Sequence, residues 1–266
     1  MSEATIEVSI LVFVLILVRV ATFFAVLPFF GRQMIPAVVL IGLSLALSVM
    51  WYISLDSIPS AIVDREDGYL RWLGFALAAG AEFLTGAMLG FAIGIFVYPI
   101  QIAGAYLAQE MGLSIASMSD PTTQSNSDVV ASLLQTVALL LFFVLNLHHF
   151  LLRLLGQSFA IVPIGGGGPN IQQVSKAGLQ NFSSLEPLGL SMIGPIGIAL
   201  FVILIALILL TKAAPSMNIF SIGLSIRIAS GLVFTLLFLP HLFGQVAIQF
   251  ENAKFWLGEY LSKFGS

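Results

Sequence analysis

Three histidines are the residues of this chain best suited to bind a metal ion or transfer a proton. His148 and His149 are adjacent, and His241 lies far along the chain with no carboxylate at ligand spacing. Adjacent side chains on a helix point about 100° apart, whereas helical zinc sites use histidines at spacings such as i and i+4. The pattern therefore favours a packing or membrane-interface role over a metal site.

Two carboxylates, Asp120 and Asp128, flank the end of a polar loop at residues 111–128, MGLSIASMSDPTTQSNSD. Enzymes that transfer prenyl or phosphoryl groups cluster carboxylates around magnesium, and two acids at this separation are weak evidence for such a cluster. Asp120 followed by Pro121 is typical of a turn. Asp128 occupies the N-cap position expected for the next helix.

Other catalytic motifs are missing from the sequence. The chain has no cysteine, which excludes disulfides, thiolate metal sites and cysteine nucleophiles. It contains neither a Gly-x-Ser-x-Gly elbow nor a phosphate-binding Gly-Lys-Ser/Thr loop, and the glycine run at 165–168 predicts only a loop. Met111 and Met118 are either packing residues or soft material that seals a pore. We therefore expect no catalytic residue, metal or cofactor.

Composition places the chain among integral membrane proteins. Of its 266 residues, 59% are hydrophobic and 9% are charged, against about 25% charged in soluble domains. The net charge of −3, without a basic patch, argues against nucleic-acid binding. Residues 1–7 hold two acids and no lysine or arginine, so we expect no cleavable signal peptide.

Apolar segments predict about six long helices, because a helix needs about 20 apolar residues to cross a bilayer. The segments are 8–28, 36–63, 72–107, 129–155, 188–210 and 219–250, with polar connectors at 64–71, 111–128 and 164–186. Pro99 and Pro240 lie inside the two longest segments, and each should kink or break its helix. The predicted fold is an all-α integral membrane domain over residues 1–266.

Charged residues also lie within or at the edges of the apolar segments. They are Arg19, Glu82, Arg153, Lys212 and Arg227. Charges are expensive in a membrane and usually face protein or water, so the helices are not expected to be simple lipid-facing rods. The basic residues do not alternate cleanly between loops, and positive-inside counting predicts no topology.

A stripe of small residues runs along the third apolar segment at every fourth position. Its members are Gly74, Ala78, Glu82, Gly86, Gly90 and Gly94. Small residues let helix backbones approach closely in lipid, and Glu82 should face a neighbouring helix rather than lipid. Two interpretations stay open for Glu82, Gly86, Gly90 and Gly94, namely packing within the chain and a seam between subunits.

Four stretches, in order, resemble the FliR/SctT family of type III export-gate proteins. They are RVATFFAVLPFFGRQMIP (19–36), GLSIASMSDP (112–121), NLHHFLLRLLGQSFAIVPIG (146–165) and AAPSMNIFSIGLSIRI (213–228). Their order, their spacing and the total length agree with the family across nearly the whole chain. The Asp-Pro loop and the Asn-Ile-Phe-Ser-Ile-Gly run resemble the flagellar members more than the virulence members. Ser216 departs from the pattern, which has glutamine there.

The resemblance implies a subunit of the flagellar export gate in the bacterial inner membrane, within the flagellar basal body. Such a subunit would assemble with FliP and FliQ homologues, and its other implied partners are FlhB, FlhA, exported flagellar subunits and membrane lipid. Export in this family is driven by the proton motive force and an ATPase. FliR-type chains look like a fusion of FliP-like and FliQ-like helices, and they complete a helical pseudo-ring that stands largely clear of the bilayer plane.

The resemblance also implies site residues. The family's loop helps plug the closed pore, and that role carries over to residues 112 to about 128. The plug residues are then Gly112, Ser114, Met118, Asp120, Pro121 and Asn126. A second helix break is expected at Pro215, Asn218 and Phe220.

Two alternative functions fit part of the pattern. A virulence-type secretion gate shares much of the four stretches. A secondary transporter of small solutes would also have broken helices and intramembrane charges, but it predicts internal repeats, and the sequence shows no convincing repeat. A membrane enzyme would need a catalytic cluster that the sequence does not provide.

Overall fold

The computed structural model describes residues 3–28, 36–54, 69–113, 129–166, 168–183, 185–213 and 219–264. Within these ranges the regular secondary structure is entirely helical, which confirms the all-α prediction. The helices are α1 (Glu3–Val26), α2 (Ala37–Ile53), α3 (Tyr69–Glu110), α4 (Val129–Val144), α5 (Leu147–Ile161), α6 (Ile171–Phe182), α7 (Leu185–Ala213), α8 (Ile219–Leu237) and α9 (Leu239–Ser262).

Several of these helices are long and apolar enough to cross a membrane. Three stretches qualify, at Ile6–Val26, Trp72–Glu110 and Ile171–Leu210, the last of which runs from α6 to α7 across one residue outside the described ranges, and the number rises to five if each of two bent helix pairs forms one span. A helix makes its backbone hydrogen bonds within the segment itself, which is why helices are stable in the membrane interior. The prediction of a membrane-embedded helical protein is therefore confirmed.

The described helices form two compact units. The first unit comprises Met1–Ile95, Leu147–Phe182 and Asn252–Ser266, and in it α1 packs on α2. The second comprises Phe96–Asn146 and Ser183–Glu251, and in it α7 packs on α8. Helix α3 contributes its first part to one unit and its last part to the other. That residues 1–266 act as a single domain stays a prediction.

The two prolines predicted to kink or break their helices, Pro99 and Pro240, have different effects. Helix α3 continues through Pro99 without a break. Near Pro240 the chain does break, because α8 ends at Leu237, α9 begins at Leu239, and the two helices meet at 60°. Pro240 then lies in the first turn of α9, where a missing backbone N–H is tolerated.

The apolar segment predicted at 129–155 is not one helix. It divides into α4 and α5 at Asn146, whose φ of 55° lies in the left-handed region. The Leu145 N–H donates to the Leu141 carbonyl at 2.8 Å, and the Asn146 N–H donates to the Phe143 carbonyl at 3.1 Å. Asparagine is one of the few residues that adopt this conformation readily, so it ends the first helix without proline or glycine.

The connector predicted at 164–186 was wrong in part, because it contains helix α6. This helix is amphipathic, and Val174, Ala177 and Gly178 form its buried face. Asn170 precedes it, and the Asn170 Oδ1 accepts a hydrogen bond from the Gln173 N–H at 3.3 Å. An asparagine N-cap before residues spaced by three and four is a recognisable helix start, and the polar composition concealed it.

Candidate functional site

Helix α3 meets α1 through two glycines of the small-residue stripe. A Cβ added at Gly90 would lie 2.8 Å from the Phe23 carbonyl oxygen and 2.9 Å from the Val26 Cβ, and one added at Gly86 would overlap the Arg19 carbonyl. Backbone therefore packs directly on backbone, as small residues permit. At these two positions the stripe packs helices of one chain, and a seam with another subunit stays a prediction.

Beside this contact lies a buried ion pair between α1 and α3. The Arg19 Nε is 2.5 Å from the Glu82 Oε2, and the two side chains are 0% and 2% exposed. The other Arg19 nitrogens donate to the carbonyls of Ser158 at 3.0 Å and Val162 at 2.9 Å. The Glu82 Oε1 accepts from the Gly165 N–H at 3.0 Å. Each nitrogen of the Arg19 guanidinium and each oxygen of the Glu82 carboxylate therefore has a hydrogen-bond partner.

This arrangement fixes the end of α5 and the loop that follows it. The Ser158 carbonyl, in the last turn of α5, already accepts the Val162 N–H at 2.9 Å, and Arg19 adds a second donor there and donates to the Val162 carbonyl just beyond the helix. The Arg19 guanidinium also lies 4.4 Å from the centre of the Phe159 ring, at a distance typical of a cation–π contact. Removing one member of such a buried pair leaves an uncompensated charge and costs about 3–5 kcal/mol.

A second polar contact lies at the end of α3, just before the polar residues 114–128. The Met111 N–H donates to the Leu107 carbonyl at 3.0 Å, and the Gly112 N–H donates to the Gln109 carbonyl at 2.9 Å. Gly112 has a φ of 77°, which is the left-handed conformation that glycine supplies after a helix. The chain therefore leaves α3 in a defined direction.

Helix α8 covers this end of α3 with one face. The Arg227 Nη2 donates to the Glu110 carbonyl at 2.5 Å and lies 3.6 Å from the Glu110 carboxylate. Since those two side chains are 20% and 41% exposed, the ion pair contributes at most about 1 kcal/mol. The charged hydrogen bond to the carbonyl contributes more, about 1.5–3 kcal/mol.

Apolar contacts complete the same face of α8. Met111 is fully buried, and a Cβ added at Gly231 would overlap its side chain, with the sulfur at 2.9 Å. The Leu224 side chain covers Gly112, since a Cβ added there would lie 2.8 Å from the Leu224 Cδ1. Sequence reasoning missed this face, although its spacing of three and four residues is a helical signal.

Comparison with known proteins places the chain in a family. The sequence profile of bacterial export proteins, family 1, matches residues 10–253. The chain belongs to this family. The resemblance predicted from the four stretches is therefore confirmed.

Individual relatives of this export protein come from flagellar and virulence systems. The flagellar biosynthetic protein FliR of Bacillus subtilis strain 168 is 31% identical over 219 residues, 82% of each chain. The protein of the same name from Escherichia coli K12 is 29% identical over 240 residues, 86% of this chain and 87% of that protein. Yop proteins translocation protein T of Yersinia pestis is 25% identical over 226 residues, 84% of each chain. This export protein is therefore a membrane-embedded component of flagellar or type III export.

The structure describes only some of the predicted site residues of this export protein. Gly112 lies at the end of α3, and Gly94 is buried within that helix. Ser114, Met118, Asp120, Pro121, Asn126, Pro215 and Asn218 lie outside the described residues. Helix α7 ends at Ala213 and α8 begins at Ile219, so Phe220 belongs to the first turn of α8. The roles predicted for these residues stay predictions.

Two further charged residues predicted within apolar segments, and two of the histidines, are also located by the structure. Arg153 and Lys212 are exposed, so neighbouring parts of the chain do not enclose them. The rings of His148 and His149 are 4.2 Å apart. Among the residues that the structure describes, no three His, Asp or Glu side chains converge on a possible metal site.

Proposed function

We propose that this chain is a structural and gating subunit of the flagellar type III export gate. In this proposal it forms, with FliP and FliQ homologues, the pore through which unfolded flagellar subunits pass. FlhB and FlhA are the further partners, and the site of action is the inner membrane at the flagellar basal body. The proposal includes no catalytic step.

The observation that carries the proposal is the held end of α3. Glu110, Met111 and Gly112 are fixed on α8 immediately before the polar residues 114–128. A helix end that is held in one place and is followed directly by hydroxyl- and amide-rich residues suits a segment that blocks a water-filled path, because polar groups at membrane depth need water or protein around them. The family resemblance supports the same role.

The surface of α7 supports assembly with other apolar chains or lipid. Ile198, Val202 and Leu209 are 69%, 59% and 60% exposed. The most apolar window of Ile171–Leu210 is only 17% buried within the chain, whereas that of Trp72–Glu110 is 67% buried. Helix α7 therefore has a large apolar surface for partner subunits and lipid, and the most apolar part of α3 is more deeply buried.

Deleting residues 113–125 tests the gating role. The segment is polar, so its loss should leave the complex assembled but permeable to small ions. The measurement is ion conductance of cells that carry the deletion, together with the amount of complex purified from the same cells. A loop of equal length built from glycine and serine serves as the control for chain continuity. Background conductance from a normally assembled deletion variant would show that this segment does not close the pore.

A virulence-type gate is the second candidate, and the similarity to the Yersinia protein supports it. The discriminating measurement is complementation. The chain should restore motility to a cell that lacks its own FliR, and should not restore effector secretion to a cell that lacks its own translocation protein T. The opposite result would assign the chain to the virulence system.

A further inference from the structure

One face of α8 contacts three consecutive residues at the end of α3. The face consists of Leu224, Arg227 and Gly231 and is called the α8 cradle below. Arg227 bonds to the Glu110 carbonyl, Gly231 accommodates Met111, and Leu224 covers Gly112. Such a match, residue by residue, leaves the last turn of α3 little freedom to move along or away from α8.

Each contact depends on a particular residue type. The last carbonyls of a helix lack partners within the helix, and a guanidinium supplies a charged donor to one of them. Glycine at position 231 leaves room for the buried Met111 side chain, which a Cβ there would displace. The left-handed Gly112 then directs the chain out of the helix immediately after these two contacts.

We infer that Arg227 is a positioning residue for the export pore. It holds the last turn of α3 on α8 and thereby fixes the point in the protein from which residues 114–128 continue. The inference rests on the proposed function, because a fixed starting point matters only if residues 114–128 close the pore. Arg227 acts through Glu110 and Gly112 and needs no contact with exported protein.

The first test replaces Arg227 with alanine. One charged hydrogen bond corresponds to at least about a tenfold change in an equilibrium, so the ion conductance of resting cells should rise about tenfold at normal complex yield. Arg227→Lys keeps one donor and should restore conductance partly. Ser230→Ala is the matched control, since the hydrogen bonds that Ser230 makes within the described residues go to carbonyls of its own helix, those of Ile226 and Arg227, and this variant should conduct at background.

A double variant separates positioning from general stability. If Arg227 acts through the loop, Arg227→Ala should add no conductance to the variant that lacks residues 113–125. A purely structural role would instead reduce complex yield in both backgrounds and leave conductance per complex unchanged. If Arg227→Ala does not assemble, the same comparison is made with Arg227→Lys. An Arg227→Lys complex that assembles in reduced amount but conducts only at background would overturn the inference.

A cross-link tests the geometry directly. The chain has no cysteine, so Met111→Cys with Gly231→Cys introduces a unique pair at the cradle. In the Arg227→Ala background, oxidation should form the disulfide and return conductance to background, and reduction should raise it again. An assembled complex in which the pair does not cross-link, or in which complete cross-linking leaves conductance high, would refute the inference.

The two proposals fail in different ways. If the deletion of 113–125 conducts ions while assembled Arg227→Ala and Arg227→Lys do not, the positioning role is wrong and the gating role stands. If the deletion does not conduct, the gating role is wrong, and the positioning role that rests on it is wrong as well.

Discussion

At the residue scale, the buried Arg19–Glu82 pair explains why charges occur in apolar segments. Arg19 contacts Glu82 and two carbonyls at the end of α5, and Glu82 also accepts from the Gly165 N–H. A charge that is paired and fully hydrogen-bonded is tolerated in a medium of low dielectric constant, whereas an unpaired one is not. The two residues therefore depend on each other.

We expect the double substitution of this pair to reduce stability by less than the sum of the two single substitutions. Glu82→Leu leaves a buried guanidinium without its counter-ion and should lower the free energy of unfolding by about 3–5 kcal/mol. Arg19→Met with Glu82→Leu removes both charges and should lose less than the sum of the two single losses. The measurement is thermal stability of the detergent-extracted protein.

The control for this cycle is Arg153→Met, because Arg153 is exposed and should change stability by less than about 0.5 kcal/mol. Strictly additive losses in the double variant would mean that Arg19 and Glu82 do not stabilise each other, contrary to the observed contact.

At the element scale, the packing of α3 on α1 depends on which positions of α3 are glycine. Gly90 faces the backbone of α1, whereas a Cβ added at Gly80 on the same helix would meet nothing within 4 Å. The two glycines thus lie on different faces of α3. Their spacing alone distinguishes them only in part, since helical faces recur every three to four residues.

Gly90→Leu should therefore prevent correct packing, and Gly80→Leu should not. The backbone oxygen of Phe23 cannot move aside as a flexible side chain could, and overpacking costs about 1–3 kcal/mol or more. Even Gly90→Ala should reduce the amount of folded protein. The measurement is the yield of each variant and its co-purification with partner subunits. Equal yields from Gly90→Leu and Gly80→Leu would contradict the close approach of the two helices.

At the scale of the whole molecule, the chain leaves much apolar surface uncovered. On α2, Val38 and Ile53 are 79% and 75% exposed, and on α7, Ile198 is 69% exposed. Large apolar side chains exposed to this degree along membrane-type helices need lipid or partner helices around them. A gate subunit would use it for both, whereas a transporter of small solutes would use it mainly for lipid.

Native mass spectrometry of the detergent-extracted protein distinguishes these cases. The export-gate proposal predicts a large hetero-oligomer that contains one copy of this chain together with FliP and FliQ homologues. Extraction from cells that lack the FliP homologue should release this chain from the complex and provides the control. A monomer or a homodimer from intact cells would instead support the transporter.

The sequence by itself determined the class of protein and much of its helical content. A chain with 59% hydrophobic and 9% charged residues can bury its apolar surface only in lipid or in an apolar assembly. In lipid, helices are stable because their backbone hydrogen bonds are made within the helix. The four stretches likewise identified the family. Local errors came from weak local signals, since Asn146 divided one predicted helix and the polar residues of α6 concealed another.

Only the tertiary structure decided which polar residues meet. Arg19 and Glu82 are 63 positions apart, and Arg227 and Glu110 are 117 apart. Hydrophobic periodicity reports which face of a helix is buried, but it contains no information about the helix on the other side. The same limit applies to the glycines. The spacing of Gly90 predicted small-residue packing, but only the approach of α1 identified its partner. Nothing in the sequence singled out Gly231, which meets the end of α3.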